Sequence, residues 1–329
     1  MEALFFEKSI ENKKNDIYIS LINGLRRTIM CDIEVYCINI NDTIFYENTC
    51  NLDNEFLNKR LSLIPIISDY TDVVYENIRI ECKIKNNSQD IKSVYFTDLV
   101  FKDDADKVIS KEFCYFPKIL FAKLKPNQSI SFETRLKKNN SQFGGANYNP
   151  TCTCVHTFKI DENVVQNKIK EAGMNEAQAR SFILDDAEFH YVKTESGLPQ
   201  TYFFTIESVG HLTGENIYQM GIQALKERLN NAKSELNNKN SEIVSIQKNK
   251  KSDEVYDVVF MKENDTLGNI LSEYLSNDND IKYVGYRLVH PLKYEMHMKI
   301  VLNNDNTKEN IIKKYIETIN KILKIIDTF

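Results

Sequence analysis

The 329-residue sequence is short of glycine (10) and proline (6), in each case less than half the usual ~7% and ~5%. That excludes a collagen-like or linker-like chain, and one built around several glycine turns that cradle phosphate. Basic charge is also lacking: 42 Lys and Arg face 47 Asp and Glu, a net charge of −5. A protein that grips nucleic acid unaided carries a basic face, so at most a local patch is available here. Apolar runs such as residues 61–67 fall far short of the ~20 residues that span a bilayer, and no membrane association is expected. Residues 1–7 have no basic start, apolar core or small-residue cleavage site, so no secretory signal is expected. The seven cysteines (Cys31, Cys37, Cys50, Cys82, Cys114, Cys152, Cys154) form no CxxC pair. An odd count without an export signal points to reduced thiols in a protein that is not secreted.

Catalytic patterns are equally scarce. His156, His190, His211, His290 and His297 form no HExxH and no nucleophile–base motif. Gly144-Gly145 lacks the lysine and helix of a phosphate loop, and the carboxylates are scattered. One metal-like grouping exists: Cys152, Cys154 and His156 alternate and would share one face of a strand. A zinc site needs four ligands, so buried thiols on a strand is the reading adopted, with a metal-dependent enzyme as the alternative.

What is present is an ordinary folded composition, 42% hydrophobic and 27% charged, at a length suited to about two domains. Ile17, Leu21, Leu25 and Ile29 recur every four residues, predicting an amphipathic helix with Asp16 as N-cap and Asn23, Arg26 and Arg27 on the other face. Residues 35–45 read as a strand. Asp53 or Asn54 caps a helix carrying Phe56, Leu57, Leu61 and Leu63, ended by Pro65. Residues 68–196 read as a separate module of short strands (78–85, 93–101, 113–116, 129–135) followed by helices near 162–172 and 175–185. A strand at 202–208 leads into a long apolar-faced helix over 215–236, and residues 241–252 read as linker. After it come a strand (254–261), a helix capped by Asp265 or Thr266, a hairpin (281–288 with 294–302) and a broad-faced helix from 308. Strand, amphipathic helix, strands and long apolar helix thus occur twice. This suggests an α+β fold made of two similar units, an intrachain pseudo-dimer rather than a homodimer.

At these residues the chain resembles the alpha-type assembly subunits of multisubunit RNA polymerases. Asn23-Gly-Leu-Arg-Arg27 is similar to the family's Asn-Ala-Leu-Arg-Arg. Glu55-Phe-Leu-Asn-Lys-Arg-Leu-Ser-Leu-Ile-Pro65 is similar to its Glu-x-x-x-His-Arg-Leu-Gly-Leu-Ile-Pro. The stretch from Glu207-Ser-Val-Gly210 through Leu229 resembles the end of the third-largest subunit's dimerisation domain. Asp265-Thr-Leu-Gly-Asn269, Gly285-Tyr286 and His290-Pro291 resemble the eleventh subunit. Glu34, Lys59, Ser62 and Gly214 depart from the pattern.

The resemblance implies a fusion of third- and eleventh-type subunits. The third-type part covers 1–67 and 197–240, the inserted module 68–196, and the eleventh-type part 253–329. It further implies a non-catalytic platform for assembly of DNA-directed RNA polymerase, with a stand-alone transcription adaptor as the alternative. Residues 23–29 with 60–65, and 265–271, would dock the largest and second-largest subunits, Arg26 and Arg27 contacting the second-largest. The partner-binding set is Asn23, Leu25, Arg26, Arg27, Ile29, Glu55, Arg60, Leu61, Pro65, Asp265, Thr266, Leu267, Gly268, Asn269, Leu271, Gly285, Tyr286, His290 and Pro291. The first helix of each half would face outward. A small tenth-type zinc subunit would lie nearby, and DNA would be met only through the complex. The family's four-cysteine zinc loop is reduced here to Cys82 within residues 69–82, so no cofactor is expected in this chain; the catalytic magnesium belongs to the largest partner. Fusions of this kind point to a large eukaryotic DNA virus, consistent with the Asn-, Lys- and Ile-rich composition. The location would then be the virion and host cytoplasm, or the host nucleus.

Overall fold

The computed structural model describes every residue except Met1, Lys239, Lys250, Lys251, Pro291 and Leu292, and every described side chain except those of Glu2 and Asp253. It is a mixed α+β structure. In chain order the elements are β1 (Phe5–Glu11), α1 (Ile19–Cys31), β2 (Val35–Ile38), β3 (Ile44–Asn48), α2 (Asn54–Ser62), β4 (Arg79–Lys85), β5 (Lys92–Tyr95), β6 (Val100–Lys102), β7 (Leu120–Leu124), β8 (Ser129–Asn139), α3 (Ser141–Gly144) and β9 (Thr151–Phe158). They continue with α4 (Glu162–Glu171), α5 (Glu176–Asp185), β10 (Thr201–Ser208), α6 (Gly214–Asn237), β11 (Val244–Asn249), β12 (Ser252–Met261), α7 (Asp265–Ser276), β13 (Ile281–Leu288), β14 (Glu295–Leu302) and α8 (Lys308–Ile326). Two compact units divide the chain. The first holds Met1–Phe6, Ile29–Thr153 and Ile206–Tyr218; the second holds Glu7–Thr28, Cys154–Thr205 and Gln219–Phe329.

In the first unit β2, β8, β4 and β6 pair in that order, with β3 also on β8, while β5 and β7 form a separate pair. The long strand β8 alternates buried and open positions, placing Ile130, Phe132 and Leu136 in the core. There they join Leu57 and Leu61 of α2 and the aromatic rings of Phe101, Phe113 and Phe121. Asp53 caps α2, its carboxylate accepting from the Phe56 amide at 2.8 Å, which satisfies a donor the helix leaves unpaired. The strand expected over 35–45 is two strands, because Asn39 turns the chain through a short 3-10 segment, its side chain accepting from the Asn41 amide. Phe113 and Cys114 are buried but lie in a loop rather than a strand, and β7 takes the ladder position beside β5. The 67/68 junction, expected as a module boundary, is not a boundary of pairing. β2 and β3 precede it, and both bond to β8.

In the second unit β11, β12, β14 and β13 form one antiparallel sheet. Val258 and Phe260 of β12 and Met296, Met298 and Ile300 of β14 are fully buried, as period-two alternation requires. α7 lies on β13 and β14 and against α8, whose Ile311, Tyr315, Ile319 and Ile322 are fully buried. The tyrosine hydroxyl donates to Met298 Sδ at 3.5 Å. Of the residues read as linker, 244–249 form β11 instead. Val244 and Ile246 alternate inward and pair with Phe260 and Val258, so their apolar side chains gain more in the sheet than in water.

The first unit also buries a histidine. His211 Nδ1 lies 3.1 Å from the Ile66 carbonyl and Nε2 3.9 Å from Cys37 Sγ. Burial outweighs the backbone hydrogen bonds and pushes its pKa down to about 4. The unfolded chain therefore holds more protons than the folded one between pH ~6.5 and ~4, and stability falls as pH drops through that window. The full effect approaches roughly 3 kcal/mol at 1.36 kcal/mol per unit. His211→Gln should flatten the dependence of Tm on pH between 6.5 and 4 relative to the parent chain. An unchanged slope would mean that His211 is not the group titrating.

Candidate functional site

The site is built where two helices far apart in sequence cross within the second unit. α1 brings Asn23-Gly-Leu-Arg-Arg27 and α7 brings Asp265-Thr-Leu-Gly-Asn269. The helices approach closely because α1 has no side chain at the crossing: a Cβ on Gly24 would lie 2.4 Å from Ile270 Cδ1. Mid-helix glycine is unfavourable by roughly 0.5–1 kcal/mol relative to alanine, so its place here follows from packing rather than propensity. Polar contacts fix the register. Arg27 Nε donates to Thr266 Oγ1 at 3.0 Å, and the Ser20 amide donates to Glu273 Oε2 at 3.2 Å. The buried Tyr274 hydroxyl donates to the Asp16 carbonyl at 2.8 Å, and its ring meets Tyr18 edge-on at 4.7 Å. α1 begins at Ile19, so Asp16 is not its N-cap; the Glu273 carboxylate from α7 serves the first turn instead. Asn264, rather than Asp265 or Thr266, caps α7 through the Thr266 amide at 2.9 Å.

A small cleft of about 100 Å³ opens at this crossing. It is lined by Ser20, Asn23, Gly24 and Arg27 from α1, by Asp265, Thr266 and Asn269 from α7, and by Tyr286 from β13. Three separate motifs therefore meet at one place. Gly268 makes the third possible, since a Cβ there would stand 2.6 Å from the Tyr286 ring and 2.7 Å from Met296 Sδ. The Tyr286 phenol is raised by burial and by Asp265, against the lowering effect of Arg27, so a carboxylate, a guanidinium and a phenol share one small field. Asn23 Oδ1 accepts from Arg26 Nε at 3.0 Å, which orients the second arginine. This arrangement of amides, hydroxyls, one guanidinium and one carboxylate is suited to hydrogen-bonded recognition of a protein surface.

Other residues of the expected set are placed differently. Leu25, Ile29, Leu61, Leu267 and Leu271 are fully buried, and Pro65 is buried too. They support surfaces rather than present them, and neither α1 nor α7 faces wholly outward. In the first unit, Glu55 is exposed in the first turn of α2 and Arg60 is half-buried; its Nη2 donates to the Leu120 carbonyl. Gly285 is half-buried and His290 exposed; Pro291 lies outside the described residues. Cys152 is exposed, its Sγ donating to the Glu207 carbonyl at 3.4 Å. In the second unit, Cys154 Sγ lies 3.8 Å from the Arg26 carbonyl, and burial pushes this thiol up to about 12. His156 is lowered by burial and by Arg26. No group of three potential metal ligands comes together among the described residues. Sequence reasoning missed Ser20, Glu273 and Tyr274 as register-fixing groups. Gly24 was the one available signal, a glycine inside an apolar helix.

Gly268→Ala forces a methyl group against the half-buried Tyr286 ring and the buried Met296 sulfur. Overpacking of this kind should cost about 1–3 kcal/mol, seen as a lower urea midpoint with the m-value unchanged.

Comparison with known proteins fits these elements. Residues 256–328, from β12 through α8, match the RNA polymerase Rpb3/Rpb11 dimerisation domain. The chain is 25% identical over 252 residues to DNA-directed RNA polymerase subunit Rpo3 of Pyrococcus furiosus, covering 70% of this chain and 94% of that protein. It is 25% identical over 272 residues to DNA-directed RNA polymerase II subunit rpb3 of Dictyostelium discoideum, covering 66% and 88% respectively. Over 61 residues it is 33% identical to that organism's subunit rpb11, covering 18% of this chain and 51% of the relative. An Rpb3/Rpb11-type dimerisation domain is therefore present in this chain.

Proposed function

We propose that this protein is a non-catalytic assembly subunit of a DNA-directed RNA polymerase. The observation that carries the proposal is the Rpb3/Rpb11 dimerisation match over residues 256–328. Similarity that spans 94% of an Rpo3 subunit and 88% of an rpb3 subunit supports it. The chemistry of nucleotide addition would then belong to its partners, which hold the catalytic magnesium, while this chain would hold no cofactor.

The finer reading is a fusion of third- and eleventh-type subunits, folded as an intrachain pseudo-dimer. Its support lies in which helices pair inside the second unit. The amphipathic helix of the first half, α1, crosses that of the second half, α7, at Gly24 and Ile270. The long helices of the two halves are also tied: Lys226 of α6 is 2.7 Å from Asp327 at the end of α8. Arg228 of α6 reaches Glu263 at 2.6 Å and Asn264 at 2.8 Å, just ahead of α7. The α1–α7 and α6–α8 contacts, each between elements that correspond in the two halves, support this reading. Covalent linkage turns that association into one of high effective concentration.

The cleft rimmed by Asn23, Arg27, Asp265 and Asn269 is the docking point for one of the two largest subunits, and the α2 surface with Glu55 and Arg60 is a second contact. A small tenth-type zinc subunit is a further neighbour, and DNA is met only through the assembled enzyme. A viral source, with the polymerase in virion, host cytoplasm or host nucleus, is supported by the Asn-, Lys- and Ile-rich composition.

Affinity purification from the native source tests the proposal. Stoichiometric recovery with two chains several times larger is expected; a free monomer with no polymerase would instead favour a stand-alone adaptor. Arg27→Glu would also break the bond to Thr266, so Asn269→Arg is the better probe of docking. Asn269 is exposed at the cleft rim. The variant should keep its stability within about 0.5 kcal/mol and lose co-purification of the large chains. Normal incorporation would remove the cleft from the docking surface.

A further inference from the structure

A second recognition feature lies elsewhere in the second unit, along β1. This strand is an edge of the sheet ordered β1, β10, β9. A groove of about 600 Å³ is bordered by four consecutive β1 residues, Lys8, Ser9, Ile10 and Glu11, and by the C-terminal part of α8. Successive strand residues point to opposite faces, so a groove touching four in a row runs along the strand's edge and not over one face. Its apolar floor includes Ile10, Ile325 and Phe329. Its rim is basic, carrying Lys8, Lys14, Lys321 and Lys324. All four are exposed, and none makes an ion pair among the described residues. Lys13 is engaged by Glu11 at 3.3 Å, and Asp16 adds a further acid at one end. The excess is therefore positive.

From this we infer that the β1 edge is a docking site for an extended acidic peptide segment, which adds as a strand beside β1. Main-chain hydrogen bonding to the open edge supplies affinity, apolar side chains cover Ile10 and Ile325, and carboxylates meet the lysines that border the groove. The lysines also choose the occupant. Lysine on an edge strand opposes pairing with a second copy of the same chain, because like charges would face each other. The same residues favour an acidic strand, so one feature rejects self-association and selects a partner. An open strand edge suits a peptide better than a phosphate backbone, which needs charge but no main-chain ladder.

The test uses the full chain and four fluorescein-labelled probes in anisotropy titrations. These are a short peptide alternating Glu and Val, its Lys–Val counterpart, the Glu–Val peptide N-methylated throughout, and a short oligothymidylate. The Glu–Val peptide should bind, and the Lys–Val and N-methylated peptides should bind at least about tenfold more weakly, a difference of 1.4 kcal/mol. The double variant Lys321→Glu/Lys324→Glu, with unchanged Tm, should weaken Glu–Val binding by a similar factor, and so should a rise in salt. Should that variant misfold, the comparison among peptides on the parent chain still decides the matter. Equal binding of acidic and basic peptides, undiminished binding of the N-methylated peptide, or tighter binding of the oligonucleotide would each overturn the inference.

Discussion

The absence of a side chain at Gly24 is the constraint on which the second unit depends. Helices carrying ordinary side chains pack with their axes some 8–10 Å apart. At this crossing Ile270 occupies the space a Cβ would need, so α1 is drawn close to α7. Close approach brings Arg27 within reach of Thr266, the Ser20 amide within reach of Glu273, and Asp16 within reach of the Tyr274 hydroxyl. Each of these bonds is worth about 1 kcal/mol net. Their larger effect is on register, because a slip of one residue would leave a buried hydroxyl and a carboxylate without partners.

The cleft follows from that register. Asn23 and Arg27 stand one helical turn apart on α1, Asp265 and Asn269 one turn apart on α7. The crossing sets the two pairs side by side, and Gly268 lets α7 sit low enough on β13 for Tyr286 to complete the rim. The two glycines do related work in the two helices. One admits the opposing helix and the other admits the sheet. Packing against a partner and packing within the chain are thus continuous: the buried Leu25, Leu267 and Leu271 hold the helices whose other faces line the cleft.

Much of this was legible in the sequence, for reasons that can be named. α6, α7 and α8 declare themselves through apolar residues every three or four positions, and β14 through strict alternation, so their positions followed from periodicity. α2 was marked by its Asp53 cap. The failures share one cause, in that pairing partners are not local. Val244 and Ile246 look like a linker until β12 is known to lie beside them. Residues 35–45 look like one strand until the Asn39 turn is seen. Phe113 carries strand-like apolarity but spends it in a buried loop. For the site, the motifs marked Asn23, Arg27, Asp265, Asn269 and Tyr286 as polar groups of one set. Periodicity put Leu25, Leu267 and Leu271 on apolar faces, where they are buried, although the motifs had placed them in the partner-binding set; nothing local showed that Glu273 and Tyr274 tie α7 back to the start of α1.

The account stands on the contact between Gly24 and Ile270, and a double-mutant cycle measures it directly. Alanine is the better helix former by about 1 kcal/mol, so Gly24→Ala would stabilise α1 if nothing stood opposite. Ile270→Val deletes the Cδ1 atom that the new methyl group would strike. Urea unfolding of the parent, both single variants and the double variant should show Gly24→Ala destabilising in the parent but much less so in the Ile270→Val background, with a coupling of about 1 kcal/mol or more. Strictly additive effects would contradict the close crossing of the two helices, and with it the shared origin of the cleft.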